Sequence, residues 1–464
     1  MGIKKILVTL FVLFMSLSTP YSQIVYKSNW ESLDKRPIPQ WYADAKFGIF
    51  IHWGVYSVPA WAPTKGKVYE KYAEWYWARQ NPSDNPSEQF THFHNSIYGE
   101  KIKYPDFVNS FRTELFDPER WADIFKQSGA TYVVLTAKHH DGFALWPSEQ
   151  AWNWNSVDVG PHRDLAGDLA KSIKLRGLHM GFYYSLYEWY NPLYKKDISQ
   201  YVDNHMIPQM KDLVNRYRPD ILWTDGEWEH SSEEWKSTSF LSWLYNESPV
   251  KGTIVVNDRW GKDTRGKHGG FYTTEYDISG DQSAAKGKTG HPWEECRGIG
   301  GSFGYNRNEN LEDYATSKAL IDLLVEKVSR GGNLLLNVGP TADGRIPVIM
   351  QERLKDIGDW LAVNGEAIYG THAWNKFPDL NEKANCFFTV KGKDLYLIIT
   401  EWQRQPITVD GVAKTTAISL LGFEGNVKYS LANNRLTIIP PIISPSDDHC
   451  RYAWVFKIAG GGIN

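Results

Sequence analysis

From residue 23 to about residue 371, short apolar runs alternate with amphipathic stretches, and each run ends in polar or glycine residues. This rhythm predicts βα alternation, because a strand covered on both faces reads as a nearly continuous apolar run and the helix covering it shows a 3.6-residue period. The strand runs are FGIFIHWG (47–54), TYVVLTAKHHDGF (131–143), HMGFYYSL (179–186), DILWTDGE (220–227), TIVVNDRW (253–260), TTEYD (273–277) and NLLLNVGP (333–340), with PWEECRG (292–298) as a further candidate. Helical patterns lie between them, among them 118–129, with proline near its start and glycine just past its end, and 168–177. Seven or eight parallel strands with intervening helices predict the α/β class and a (β/α)8-like, TIM-type barrel. The rival architecture, a doubly wound open sheet, is not supported by a GxGxxG after the first run.

The pattern changes near Trp374 to alternating strand-like pieces broken by Gly, Asn and Pro turns, including Asn433-Asn434. A catalytic barrel over 23–372 followed by a β-sandwich over 373–464 is therefore expected, and with no long linker between them the two should pack together. Residues 1–22 have the order of a secretory signal, with Lys4 and Lys5, an apolar run from Ile6 to Leu17 and then small residues. That order predicts export to the periplasm or the extracellular space, and the run is too short to span a bilayer.

A chain of 464 residues is too long for a peptide or a lone binding module, and 51 Lys+Arg against 54 Asp+Glu give a formal net charge of −3. That balance points to no nucleic-acid or membrane-surface partner. Aromatic residues make up 14% of the chain, more than a core alone needs, so stacking platforms are expected. Cys296, Cys386 and Cys450 are far apart and odd in number, which offers neither a disulfide framework nor a CxxC metal site. No cofactor and no metal are expected, and nothing in the sequence signals an oligomeric state.

Polar residues suited to catalysis fall at the ends of the strand runs: His52, His139, His140, Tyr184, Asp225, Arg259 and Glu275. In a (β/α)8 barrel these ends converge on the face where active sites are built. Two separated carboxylates in an aromatic pocket suit glycoside hydrolysis, whose oxocarbenium-like transition state needs one ionised and one protonated group. Asp225 is the candidate nucleophile, because the strand pleat puts Ile221, Trp223 and Asp225 on one face and so sets an indole beside the carboxylate. For the acid/base, Glu275, Glu294 and Glu74 all lie in aromatic or Pro-rich contexts and stay open on chemistry alone. The pair His139-His140 lacks an HxH, HExxH or Asp-rich companion and is read as binding sugar hydroxyls.

FGIFIHWG, EWY (74–76), KHHDGF (138–143), LWTD, VNDRWG (256–261), TTEY, SFGYNRNE (302–309) and GGNLLLNVGPTADG (331–344) together resemble the α-L-fucosidases of glycoside hydrolase family 29 over most of residues 40–372. The resemblance implies a barrel with a C-terminal β-domain, a retaining double displacement without metal, and a fucosylated oligosaccharide or glycoconjugate as substrate. Carried over by motif, it implies that the nucleophile is Asp225. It implies sugar contacts from His52, His139, His140, Tyr184, Trp223, Glu74, Trp75 and Arg259. The T-x-E-Y pattern of bacterial members points to Glu275 as acid/base, with Glu294 as the alternative. The stretch 261–270 before Glu275 is rich in glycine and charge, so its placement is left open. A galactosidase-like retaining enzyme on the same barrel, or a glycan-binding protein without chemistry, are the other function classes.

Overall fold

The computed structural model describes residues 24–81, 85–277, 279–280, 290–374, 385–444 and 450–462, so the expected signal segment lies outside the described residues. Its first sheet contains the parallel strands β1 (Phe47–Ile51), β2 (Tyr132–Lys138), β3 (His179–Ser185), β4 (Ile221–Asp225), β5 (Val255–Val256) and β6 (Tyr272–Glu275), then β7 (Ser279–Gly280), β8 (Trp293–Gly298) and β9 (Asn333–Val338). The order is β5-β4-β3-β2-β1-β9-β8-β6-β7, with β7 antiparallel to β6. Eight parallel strands thus curl into a barrel wall. The seam between β5 and β6 is closed by a single bridge from Asn257 to Phe271. Gly270 lies at this seam, where an added Cβ would stand 1.7 Å from the Val256 carbonyl oxygen, so only glycine lets the two segments approach.

The strand pleat sorts side chains to two cores. Phe50, Tyr132, Val134, Tyr183, Ile221, Trp223, Val255, Phe271, Cys296 and Leu335 fill the barrel interior. Ile49, Ile51, Val133, Leu135, Phe182, Tyr184 and Leu222 point outward and pack with the surrounding helices. Among those helices, Pro118–Gln127 opens on Asp117, whose carboxylate accepts from the backbone N–H of Glu119 and Arg120, and it buries Trp121, Ala122 and Phe125. The pattern expected at 168–177 is the helix Leu165–Leu175, which starts earlier because Asp164 caps the N–H of Gly167.

The βα alternation is incomplete. The run TIVVNDRW forms only a two-residue strand, because the Asn257 side chain takes over the pairing: its Oδ1 accepts from Thr224 Oγ1 at 2.9 Å and its Nδ2 donates to the Thr224 carbonyl at 2.8 Å. No helix joins β5 to β6. The connecting stretch is tied down instead, with Thr264 Oγ1 donating to the carbonyl of Asp258 (2.7 Å) and the N–H of Gly266 donating to Asp258 Oδ2 (2.9 Å).

The C-terminal part contains β10 (His372–Ala373), β11 (Cys386–Lys391), β12 (Asp394–Ile399), β13 (Ile407–Asp410), β14 (Ala417–Leu420), β15 (Lys428–Ala432), β16 (Arg435–Ile439) and β17 (Trp454–Ala459). They form a five-stranded sheet, β10-β11-β12-β17-β14, and a three-stranded sheet, β13-β16-β15. Alternation assigns their faces. Leu395, Leu397, Ile399, Phe456 and Ile458 pack against Ile407, Val409, Leu436 and Ile438 between the sheets. Phe387, Tyr396, Ile398 and Val455 face the other way and join the core around the barrel, so the sandwich is docked on it.

Candidate active site

The C-terminal ends of the barrel strands open into a cavity of about 430 Å3. His52, Glu74, Trp75, His139, His140, Trp223, Asp225, Arg259 and Glu275 all line it, together with Phe50, Tyr72, Tyr183, Trp228, Arg265 and Phe303. Nine of the residues expected from the sequence are therefore brought to one place.

Asp225 ends β4 with the same strand parity as Ile221 and Trp223, which turns it into the barrel mouth. Arg259 Nη1 donates to its Oδ1 at 2.6 Å and the Tyr183 hydroxyl donates to its Oδ2 at 2.9 Å. Burial alone would raise the Asp225 pKa, but Arg259, His140 and Arg265 outweigh it and hold the carboxyl at about 2. Arg259 Nη2 reaches Glu275 Oε2 at 3.4 Å, and its Nε donates to Thr273 Oγ1 at 3.0 Å. One buried guanidinium thus spans both carboxylates, and it lies over the Trp223 ring with its carbon 4.5 Å from the centroid. The other oxygen of Glu275 accepts from the Tyr72 hydroxyl at 2.9 Å.

The three histidines are neutral. Burial lowers His52 to about 3 and His140 to about 4, and it holds His139 well below the ordinary imidazole value, with the neighbouring His140, His52 and Lys138 acting in the same direction. Their tautomers follow from their partners. Asn337 donates through Nδ2 to the Phe303 carbonyl, so its Oδ1, 2.7 Å from His52 Nδ1, accepts from an Nδ1–H. Ser185 Oγ donates to the Tyr187 carbonyl and accepts from His140 Nδ1 at 2.6 Å. Both imidazoles therefore keep a bare Nε2 as acceptor. His139 stacks on Tyr183 at 5.6 Å between centroids, and its buried Nδ1 has no hydrogen-bond partner among the described residues. Both His139 and His140 reach the cavity because β2 ends at Lys138 and the chain has left the pleat by then.

Glu74 is buried, and its Oε2 accepts from the N–H of Gly304 (2.8 Å) and from Ser302 Oγ (3.2 Å). Burial raises its pKa to about 7 against those lowering bonds. Trp75 stands edge-on to His140 and near-parallel to the partly exposed Trp228, with ring centroids 6.0 Å apart.

Two expectations fail. Tyr184 does not face the cavity: strand parity points it outward, where its hydroxyl donates to Gln209 Oε1 at 2.7 Å, and Tyr183 occupies the inward position. Glu294 is not an acid lining the cavity. It lies inside the barrel, accepting from Trp223 Nε1 (2.9 Å) on one oxygen and from Tyr42 (2.9 Å) and Tyr132 (2.5 Å) on the other. Burial raises it to about 7 in spite of these donors. Residues the sequence reading missed include Tyr183, legible from the parity of β3, and Tyr72 and Arg265, which come from loops and carry no periodic signal.

A barrel with a C-terminal β-sandwich and an aromatic-walled mouth holding two carboxylates and three neutral imidazoles defines a glycoside hydrolase. The family model described as Alpha-L-fucosidase matches residues 13–366, and the chain belongs to that family. Tissue alpha-L-fucosidase of Homo sapiens is 43% identical over 450 residues, covering 94% of this chain and 92% of the human one. Alpha-L-fucosidase of Dictyostelium discoideum is 42% identical over 473 residues, covering 97% and 99%. The crystal structure of Thermotoga maritima alpha-fucosidase superimposes with a TM-score of 0.76 at 36% identity, covering 94% of this chain and 100% of that one, and the same protein is known in complex with a mechanism-based inhibitor.

Proposed function

We propose that the protein is a retaining, exo-acting α-L-fucosidase that removes terminal α-L-fucosyl residues from glycans, with Asp225 as nucleophile and Glu275 as acid/base. The observation that carries this reading is the Arg259 guanidinium joining the two carboxylates in one closed-bottomed cavity. A retaining displacement needs carboxyl groups about 5 to 5.5 Å apart, and a shared cation keeps two such acids close while one of them stays ionised.

In the first step an Asp225 oxygen forms a bond to the anomeric carbon as the bond to the glycosidic oxygen breaks. Protonated Glu275 gives its proton to that oxygen. Glu275, now ionised, takes a proton from water, whose oxygen attacks the anomeric carbon and releases Asp225. The bare Nε2 atoms of His52 and His140 accept from sugar hydroxyls, while Glu74 and Trp75 bind from the rim. Phe50, Tyr72, Trp223 and Phe303 supply the apolar wall that a methyl in place of a hydroxymethyl requires. Hydroxyl stereochemistry is then read sharply, and the methyl contributes only about 1 to 3 kcal/mol of discrimination.

The charge, apolar run and small residues of 1–22 support export, and no helix among the described residues is long and apolar enough to cross a membrane. The test is hydrolysis of a panel of nitrophenyl glycosides and defined fucosylated oligosaccharides, with the first-formed anomer followed by NMR. Preferential cleavage of α-L-fucosides with α-L-fucose appearing first is expected. Faster turnover of galactosides, an initially inverted product, or binding without any product would each reject the reading.

A further inference from the structure

Two residues beyond the nucleophile on the same loop lies Glu227, whose side chain is 1% exposed. Its Oε1 accepts from Arg265 Nε at 2.5 Å, and its buried Oε2 has no hydrogen-bond partner among the described residues. A carboxylate buried this deeply with one partner is costly, and its single bond fixes the direction of that partner. The partner is aimed at the cavity. Arg265 lines the cavity with its side chain 22% exposed, and Nη2 stands 3.8 Å from Asp225 Oδ1, too far for a hydrogen bond. Its terminal nitrogens donate to no protein acceptor among the described residues, whereas those of Arg259 are both committed to carboxylates. The loop carrying Arg265 is fixed through Thr264 and Gly266 onto Asp258, so the guanidinium is presented from an ordered base.

The position next to the nucleophile limits what these free donors can meet. In the transition state positive charge grows on the anomeric carbon and the ring oxygen, so a cation beside the ring oxygen would oppose the reaction. The leaving oxygen departs from the face opposite the nucleophile. The remaining sugar oxygen adjoining the anomeric carbon is the 2-hydroxyl, which carries none of that growing charge and can accept from a guanidinium. We infer that Arg265 is a substrate-binding residue that donates to the fucosyl 2-hydroxyl, and that Glu227 is the positioning residue that holds it there. The inference rests on the proposed role of Asp225 as nucleophile.

The experiment compares kcat/KM on an aryl α-L-fucoside and on the corresponding aryl 2-deoxy-α-L-fucoside for wild type, Arg265→Met, Glu227→Ala and Glu227→Gln. Arg265→Met should lose on the order of 10- to 100-fold on the fucoside, the range for a hydrogen bond from a charged donor, and less than about 3-fold on the 2-deoxy substrate. Glu227→Ala should show the same substrate-dependent loss, and Glu227→Gln, whose amide oxygen still accepts from Nε, should recover most of it. The double variant Arg265→Met/Glu227→Gln removes the lone buried charge, so it reports the same ratio if either single variant folds poorly. Equal losses on both substrates, or no loss on the fucoside, would overturn the inference. If the wild type hydrolysed no fucoside at all, or Asp225→Ala stayed active, the functional reading itself would fall. An active wild type with an inert Asp225→Ala and an unaffected Arg265→Met would sink only the Arg265 assignment.

Discussion

Tyr183→Phe isolates one interaction at the nucleophile. The hydroxyl donates to Asp225 Oδ2 at 2.9 Å from a ring that is buried in the barrel interior, so its removal takes away a donor and opens little space. A hydrogen bond to a charged group contributes about 1.5 to 3 kcal/mol, and one pKa unit corresponds to about 1.36 kcal/mol, so the Asp225 pKa should rise by about 1 to 2 units. Asp225 starts at about 2, held down against burial by Arg259, His140 and Arg265. Its ionised form is the reactive one, so activity is lost as pH falls through its pKa. In the free enzyme His140 and His52 lose their bare Nε2 at about 4 and about 3 and so set an acid limb of their own. The Asp225 titration is therefore read directly by carboxyl-carbon NMR, where it should move up from about 2 to about 3 to 4. At neutral pH the carboxylate is ionised in both proteins, and the lost bond is weaker in the transition state, where the carboxylate charge is being spent. The neutral-pH loss should stay below about tenfold. The assay is carboxyl-carbon NMR of Asp225 across pH, with kcat/KM for an aryl fucoside at neutral pH beside it and Tyr184→Phe as the outward-facing control. An Asp225 pKa that does not move in Tyr183→Phe, or that moves equally in Tyr184→Phe, would refute the assignment of inward and outward tyrosines.

Glu275→Ala should lose most activity on natural glycans, lose less on substrates with activated leaving groups, and regain turnover with azide; absence of rescue would transfer the acid/base role to another group. Glu294 is protonated more readily in the folded chain, at about 7 against about 4.3 for a free carboxyl, so its contribution to stability is full below pH 4 and is lost as pH rises to 7. The stability of Glu294→Gln relative to wild type should consequently rise by roughly 3 kcal/mol between pH 4.5 and 8 in denaturant titrations, and a pH-independent difference would contradict the buried placement. Gly270→Ala should cost about 2 kcal/mol or more in thermal unfolding because its Cβ would overlap the Val256 carbonyl at the barrel seam; an unchanged melting temperature would show that the seam is open.

The parts of this fold that declare themselves in the sequence are those governed by burial. Strands enclosed between the interior and the helices must be apolar on both faces, so β1, β2, β3, β4 and β9 stand out as runs, and the residues at or just past the ends of β1, β2 and β4 line the cavity. Where side chains replace backbone pairing the signal fades. Asn257 imitates a strand partner, so β5 is far shorter than its apolar run, and nothing in the composition of 261–270 shows that Thr264 and Asp258 anchor it without a helix. Asp225 was legible because pleat parity fixes its direction relative to Trp223. The same counting applied to β3 selects Tyr183, and choosing Tyr184 for its closeness to the strand end overlooked it. Glu294 shows the converse: a carboxylate in an aromatic context is as consistent with an interior network as with catalysis, and only the positions of Tyr42, Tyr132 and Trp223 distinguish them. Arg265 and Glu227 depend on the meeting of two loops, which no periodicity encodes.

The central claim, that Asp225 forms a covalent bond to the sugar, is tested most directly by trapping. Incubation with a 2-deoxy-2-fluoro fucosyl donor bearing an activated leaving group, followed by proteolysis and peptide mass spectrometry, should find one fucosyl label per chain, esterified to Asp225 and absent from Asp225→Ala. A label on Glu74 or Glu275, or rapid turnover of the donor with no labelled peptide under conditions that trap a glycosyl ester, would contradict it.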